Sequence, residues 1–145
     1  MQKITRILVP VDGSPSSDKA LDTAILLAMA SGAALDLLYV SYFDSGTDDV
    51  VEKISWLPDS VAGSSSKAAE AILRHAREHI PAGIEVGLHR ETGTPARKIV
   101  DFAAKNGNEM TVVGGRGLGI VAGFLLGSVS QEVMELAGNT VVVVR

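Results

Sequence analysis

The chain has 145 residues, 46% of them apolar, with 15 glycines and only 4% aromatic residues, which fits one layered α/β domain over 1–145 rather than two domains, a helical bundle or a disulfide scaffold. Cysteine is absent, so disulfides and cysteine-based metal or redox chemistry are excluded. A formal net charge of −4 gives no electrostatic ground for a nucleic-acid partner.

The opening residues, Met1 to Arg6, run straight into a strand without an apolar signal core, so a cytoplasmic protein is expected. The first strand, Ile4–Val11, contains an apolar run typical of a strand covered on both faces, and it ends in Pro10-Val11-Asp12-Gly13-Ser14. Ser14-Pro15, a capping oxygen before a first-turn proline, introduces a helix over Lys19–Ala30 that Gly32 closes. A second strand follows over Ala34–Ser41.

The polar connection from Asp44 to Lys67, with its run Ser64-Ser65-Ser66, is too long for a simple turn. It reads either as a surface loop or as a lid or partner-specific segment anchored by Trp56, with room for a short helix around Val50–Ile54. The second helix, Ala68–Ile80, turns Ala69, Ile72, Leu73, Ala76 and Ile80 inward and leaves His75 and His79 toward the margin. Its His-x-x-Glu-His string therefore lacks the setting of a zinc site, since His89 has no motif to complete one.

The third strand, Glu85–Arg90, runs into His89-Arg90-Glu91 without a glycine cradle, and Thr94-Pro95 opens a helix over Ala96–Lys105 that ends at Gly107. The fourth strand, Met110–Val113, opens instead into Gly114-Gly115-Arg116-Gly117 and, after nine more residues, Gly127-Ser128. A helix over Val129–Ala137, ended by Gly138, leads to the last strand, Thr140–Val144. Its four valines belong either to a strand hidden in its own domain or to an edge that pairs with a second subunit.

Such alternation implies parallel strands joined by right-handed crossovers, with helices on both faces and ligands at the carboxyl ends of strands where their order reverses. If the first and fourth strands are neighbours, their ends enclose a carboxylate, an arginine and a ring of backbone donors suited to phosphate. Competing motifs fail on context. Gly117-x-Gly119-x-x-Ala122 opens no βαβ unit with an acidic residue beyond it, and no Gly-Lys-Ser or Gly-Lys-Thr marks a P-loop. Gly119, Gly123 and Gly127 match a membrane helix-packing spacing, but the segment is too short and glycine-rich to span a bilayer.

The spacing Gly114-x2-Gly117-x9-Gly127-Ser128, with Arg116 before the second glycine, resembles the signature of the ATP-binding universal stress proteins. Ile7 to Ser14 and Gly93-Thr94-Pro95-Ala96 are similar to further motifs of that family, and the likeness covers the chain apart from 44–67. The resemblance implies an open, Rossmann-like parallel sheet of five strands in the order 3-2-1-4-5. It implies that Pro10, Val11 and Val40 line an adenine pocket, that Asp12 reaches ribose or, through water, Mg2+ or Mn2+, and that Gly114, Arg116, Gly117, Gly127, Ser128, Val129 and Ser130 surround the phosphates of ATP, ADP or AMP. It further implies a cytoplasmic homodimer joined through 140–144, read by a regulatory protein partner.

Bland roles exist for the same residues. Asp12 could cap the turn before Ser14, the glycines could serve positive φ, and Ser128 with Gln131 fits a capping box that a phosphate could replace. Position 115 is glycine where family members more often carry serine, which loosens the loop. Slow ATP hydrolysis or autophosphorylation is the alternative activity, with Asp12 as the one clear carboxylate. A flavodoxin-like or receiver module is disfavoured, because the first loop lacks the Thr and Asn of an FMN phosphate loop and the third strand end lacks an aspartate.

Overall fold

The computed structural model of the chain describes residues 3–41, 54–58, 60, 65–116 and 127–145. Gly117, the dinucleotide-like and membrane-like strings that follow it, and most of 44–67, including the start of the short helix expected at 50–54, lie outside them. The elements are β1 (Arg6–Pro10), α1 (Pro15–Ser31), β2 (Ala34–Ser41), α2 (Ser65–Glu78), β3 (Val86–Thr92), α3 (Pro95–Asn106), β4 (Met110–Gly114), α4 (Ser128–Leu136) and β5 (Thr140–Val144). All pairings are parallel and the order is β3-β2-β1-β4-β5, the order that the resemblance implied.

Alternation along the strands divides the core between two faces. Ile7, Val9, Leu35, Leu37 and Val112 meet α1 and α2 through Leu21, Ala24, Ala69 and Ile72, whereas Leu8, Leu38 and Val113 meet α3 and α4 through Ile99, Phe102 and Val133. Helices thus cover both faces, and strand interiors buried on two sides carry the continuous apolar runs seen in the sequence. β5 is an edge strand whose four valines are half-buried in the single chain.

The helix ends show which local signals act. The Ser14 Oγ accepts the Ser17 N–H at 3.1 Å and Pro15 occupies the first turn, so α1 starts four residues before its apolar pattern does. Gly32 and Gly107 close α1 and α3 in left-handed conformations at φ 76° and 69°. Thr94 stands at the N-cap of α3 without a side-chain cap bond, and α4 ends on an extended Ala137 rather than on Gly138.

Residues 54–57 pack back onto the α1 face, where Ile54 and Leu57 are buried. Between them the Trp56 indole N–H donates to the Gly13 carbonyl at 3.0 Å, while its ring stacks on His75 with centroids 4.0 Å apart. Gly13 stands at φ 84°, a backbone conformation that side chains rarely adopt, and a Cβ there would press on Ile54 at 3.0 Å and on Trp56 at 3.2 Å.

The most buried charge is Asp36 of β2, which is 0% exposed. Arg6 donates to it through Nε at 3.0 Å and Nη2 at 2.7 Å, the Asn108 Nδ2 donates at 2.8 Å, and the His89 Nε2 lies 2.9 Å away. Gly87 makes this convergence feasible, because a Cβ there would stand 2.7 Å from the His89 Nε2 and 2.8 Å from Asp36 Oδ1. Burial by itself raises the Asp36 pKa, but hydrogen bonds from Arg6, Asn108 and His89 outweigh it and hold the group below its ordinary value.

Asp36→Asn keeps the shape, removes the charge and strands Arg6, whose side chain is 39% exposed and regains some water. The expected loss is about 3 kcal/mol at neutral pH, the lower end for a broken buried pair. Because the folded-state pKa is depressed, this contribution is complete above the ordinary carboxylate range and disappears as pH falls through the depressed value. Urea unfolding of both proteins along an acid series should show the gap narrowing as pH falls.

Candidate functional site

β1 lies between β2 and β4, so the chain turns one way from β1 and returns on its other side only after β3. This reversal parts the loops at the carboxyl ends of β1 and β4 and leaves a cleft of about 210 Å³ there. Pro10, Val11, Asp12, Val40, Gly114, Arg116, Gly127, Ser128, Val129 and Ser130 all line it. Ser14, Ser17, Leu38, Tyr39, Pro95, Ile99 and Val113 line it too and were not singled out from the sequence. Pro95 stands within a quoted motif, Ser14 ends the first loop and Ser17 lies in the turn of α1 that follows it, so proximity to recognised segments was the available signal.

Asp12 does both jobs that its position allows. Its Oδ1 accepts the Ser14 N–H at 2.9 Å, an Asx turn that shapes the entry to α1, and its N–H donates to the Ser17 Oγ at 3.2 Å. Oδ2 has no partner among the described residues. On β2, Val40 lies beyond the last contact with β1, the bond from the Val11 N–H to the Leu38 carbonyl at 2.9 Å. Alternation of the backbone turns the Val40 N–H and C=O the same way as those of Leu38, toward the cleft.

The glycine segment is tied internally. The Gly115 N–H donates to the Val144 carbonyl at 2.7 Å, the Arg116 N–H to the Ser16 Oγ at 3.1 Å, and the Gly127 N–H to the Gly115 carbonyl at 2.6 Å. None of Gly114, Gly115 and Gly127 has positive φ, so the conformational role considered for Gly114 and Gly127 does not apply. Gly114 is required for space: a Cβ there would strike the Ser16 hydroxyl and lie 2.7 Å from the Ser16 carbonyl oxygen.

Gly127, extended at φ −69°, is the N-cap of α4, and Ser128 is already inside the helix, so the expected Ser128 cap is not formed. The reason is spacing: the first helical bond runs from the Gln131 N–H to the Gly127 carbonyl at 3.1 Å. Ser130 uses its hydroxyl on the same carbonyl at 2.9 Å. The N–H groups of Ser128, Val129 and Ser130 therefore have no partner among the described residues and stand at the positive end of the helix dipole, in the cleft wall.

Among the described residues no group of three or more His, Asp or Glu side chains could hold a metal by itself. The His75–His79 pair is accounted for by stacking on Trp56 and by the bond between the His79 Nδ1 and the His75 carbonyl at 2.7 Å. No helix among the described residues is long and apolar enough to cross a membrane.

The sequence model of the universal stress protein family matches residues 3–145. The universal stress protein YxiE of Bacillus subtilis is 34% identical over 97% of this chain and 98% of its own. A universal stress protein solved in complex with cAMP is 30% identical and superposes with a TM-score of 0.74 over 99% of both chains. The structure of hypothetical protein MJ0577, 20% identical, shares the fold with a TM-score of 0.79 over 99% of this chain and 96% of that one. The chain belongs to the universal stress protein family.

Gly114→Ala must push β4 and the first turn of α1 apart, since the new methyl group meets main-chain atoms. Overpacking of this kind costs about 1–3 kcal/mol. A lowered thermal midpoint with a native far-ultraviolet spectrum is the expected result; an unchanged midpoint would show that the two segments have room to spare.

Proposed function

We propose that this universal stress protein is a cytoplasmic regulatory protein that binds an adenine nucleotide in the β1–β4 cleft, with ATP or AMP as the resting ligand. The observation that carries the reading is the set of three N–H groups at the start of α4 without a partner among the described residues, in the wall of a cleft that Arg116 and Asp12 also line. Such a wall neutralises phosphate oxygens with fixed dipoles and one cation. The main chain of Val40 offers a donor and an acceptor for the edge of a base, between the apolar walls of Val11, Leu38 and Ile99. The relative solved with cAMP, 30% identical, supports the adenine nucleotide class.

The residues also suit a divalent cation that arrives with ATP. Mg2+ is commonly held by one or two carboxylates and by phosphate oxygens, retaining several waters. Asp12, with one oxygen spent on its own turn and the other open, fits that demand. A bound ion would neutralise phosphate charge there; Asp12 would orient its water shell.

Binding rather than turnover is the reading that the donor set supports. Asp12 is the only carboxylate among the described residues lining the cleft, and no histidine lines it. An attacking water would thus find no second acid–base group among the described lining residues.

We further propose that two copies join through β5. Thr140 donates its N–H to Glu109, and the Val144 carbonyl accepts from Gly115, so even positions of β5 face β4 and odd positions face outward. The outward N–H and C=O of Val141 and Val143 have no strand partner among the described residues and could extend the ladder.

Calorimetric titration of ATP with Mg2+ should give saturable heat with one site per chain, and its absence for ATP, AMP and cAMP alike would dispose of the reading. Asp12→Asn retains the turn acceptor while losing the charge; it should weaken binding of Mg2+–ATP about tenfold, roughly 1.4 kcal/mol. Binding of AMP in the presence of a chelator should stay nearly constant. Val143→Pro removes an outward N–H and spares the β4 ladder. Sedimentation should find the variant monomeric and the parent dimeric, and a monomeric parent would refute pairing through this edge.

A further inference from the structure

The geometry points to Ser16 as a positioning residue for Arg116: its hydroxyl locks the peptide plane from which the only cationic side chain of the described cleft lining departs. This inference rests on the nucleotide-binding reading and adds to it the residue that prepares the cation for phosphate.

Ser16 lies on the first turn of α1 and is not among the residues lining the cleft, whereas Arg116 is. The two are 100 positions apart in sequence, and their link is the bond from the Arg116 N–H to the Ser16 Oγ at 3.1 Å. The carbonyl of the same peptide group belongs to Gly115 and accepts the Gly127 N–H at 2.6 Å. One peptide plane is therefore held at its oxygen by the start of α4 and at its nitrogen by the start of α1. The preceding N–H, that of Gly115, is held by Val144 at 2.7 Å.

These bonds matter because Gly114 and Gly115 have no side chains to restrict the backbone before Arg116. Unpinned, that plane would rotate, and the guanidinium would sample directions away from the cleft. Ordering it at the moment of binding subtracts from affinity, by the same accounting that makes preorganised sites tighter. The bare Gly114 completes the device, since only its missing Cβ lets Ser16 approach the segment. Ser16 acts on charge placement and leaves the base-binding wall alone. Its removal should distinguish phosphorylated ligands from unphosphorylated ones.

The experiment is a double-mutant cycle with Ser16→Ala, Arg116→Ala and the double variant, titrated with ATP and with adenosine. Ser16→Ala should weaken ATP three- to tenfold and leave adenosine unchanged. In the Arg116→Ala background, which retains the N–H, Ser16→Ala should cost nothing further. Equal ATP affinity for Ser16→Ala and the parent overturns the inference, as does an undiminished loss in the Arg116→Ala background. Failure of the parent to bind either ligand removes the nucleotide reading itself, and the inference with it. Hydrogen exchange of the Arg116 amide in the unaltered protein supplies a measurement independent of any variant: slow exchange is expected, and exchange at the free-peptide rate overturns the locked plane.

Discussion

The contact between Gly114 and Ser16 is the constraint on which the upper end of the molecule depends. Two main-chain segments meet where a single methyl group would not fit, so the last residue of β4 and the first turn of α1 hold a fixed separation. With it goes the bond from the Arg116 N–H to the Ser16 hydroxyl, which ties the chain leaving β4 to the helix start that the local Ser14 cap and Asp12 turn have already shaped. The cleft is the space that remains once these segments have been brought together.

Polar groups are allotted differently at the two ends of the sheet. Near the starts of the strands, Asp36 gathers Arg6, His89 and Asn108 into a closed set whose carboxylate oxygens are all engaged. At the finishes, the N–H groups of Gly115, Arg116 and Gly127 are consumed internally, while those beginning α4 and one oxygen of Asp12 have no partner among the described residues. A carboxylate with every oxygen engaged holds shape; donors left without a partner in a cleft wall are available to a ligand. Gly114, Gly115 and Gly127 thereby act indirectly, tying the end of β4 to the start of α4, whose first residues line the cleft.

Much of the architecture was legible in the sequence because its signals are periodic or local. The apolar runs of β1 and β5, the inward stripe of α2, and Ser14-Pro15 with Gly32 are decided within a few residues of themselves. Legibility failed where the outcome depended on a neighbour in space. Ser128 satisfied the pattern of a cap, yet the hold of Gly115 on Gly127 shifts the helix start by one residue. Thr94 likewise has the residue type of a cap without its bond. Ser16 carried no signal at all, because its partner lies on the far side of the chain and the bond joins a common side chain to an anonymous main-chain N–H. Asp36 stood in an apolar strand with nothing beside it in sequence to announce Arg6, His89 or Asn108.

The indole of Trp56 has a property that the stacking and hydrogen bond imply but that binding chemistry does not use. It is the only tryptophan in the chain, and it is bonded to the carbonyl of Gly13, the residue that follows Asp12. A change in that bond, or in the imidazole of His75 against its face, would alter the surroundings of the indole ring. The protein consequently carries its own optical probe, unlabelled and unambiguous, on the back of the turn whose front lines the cleft.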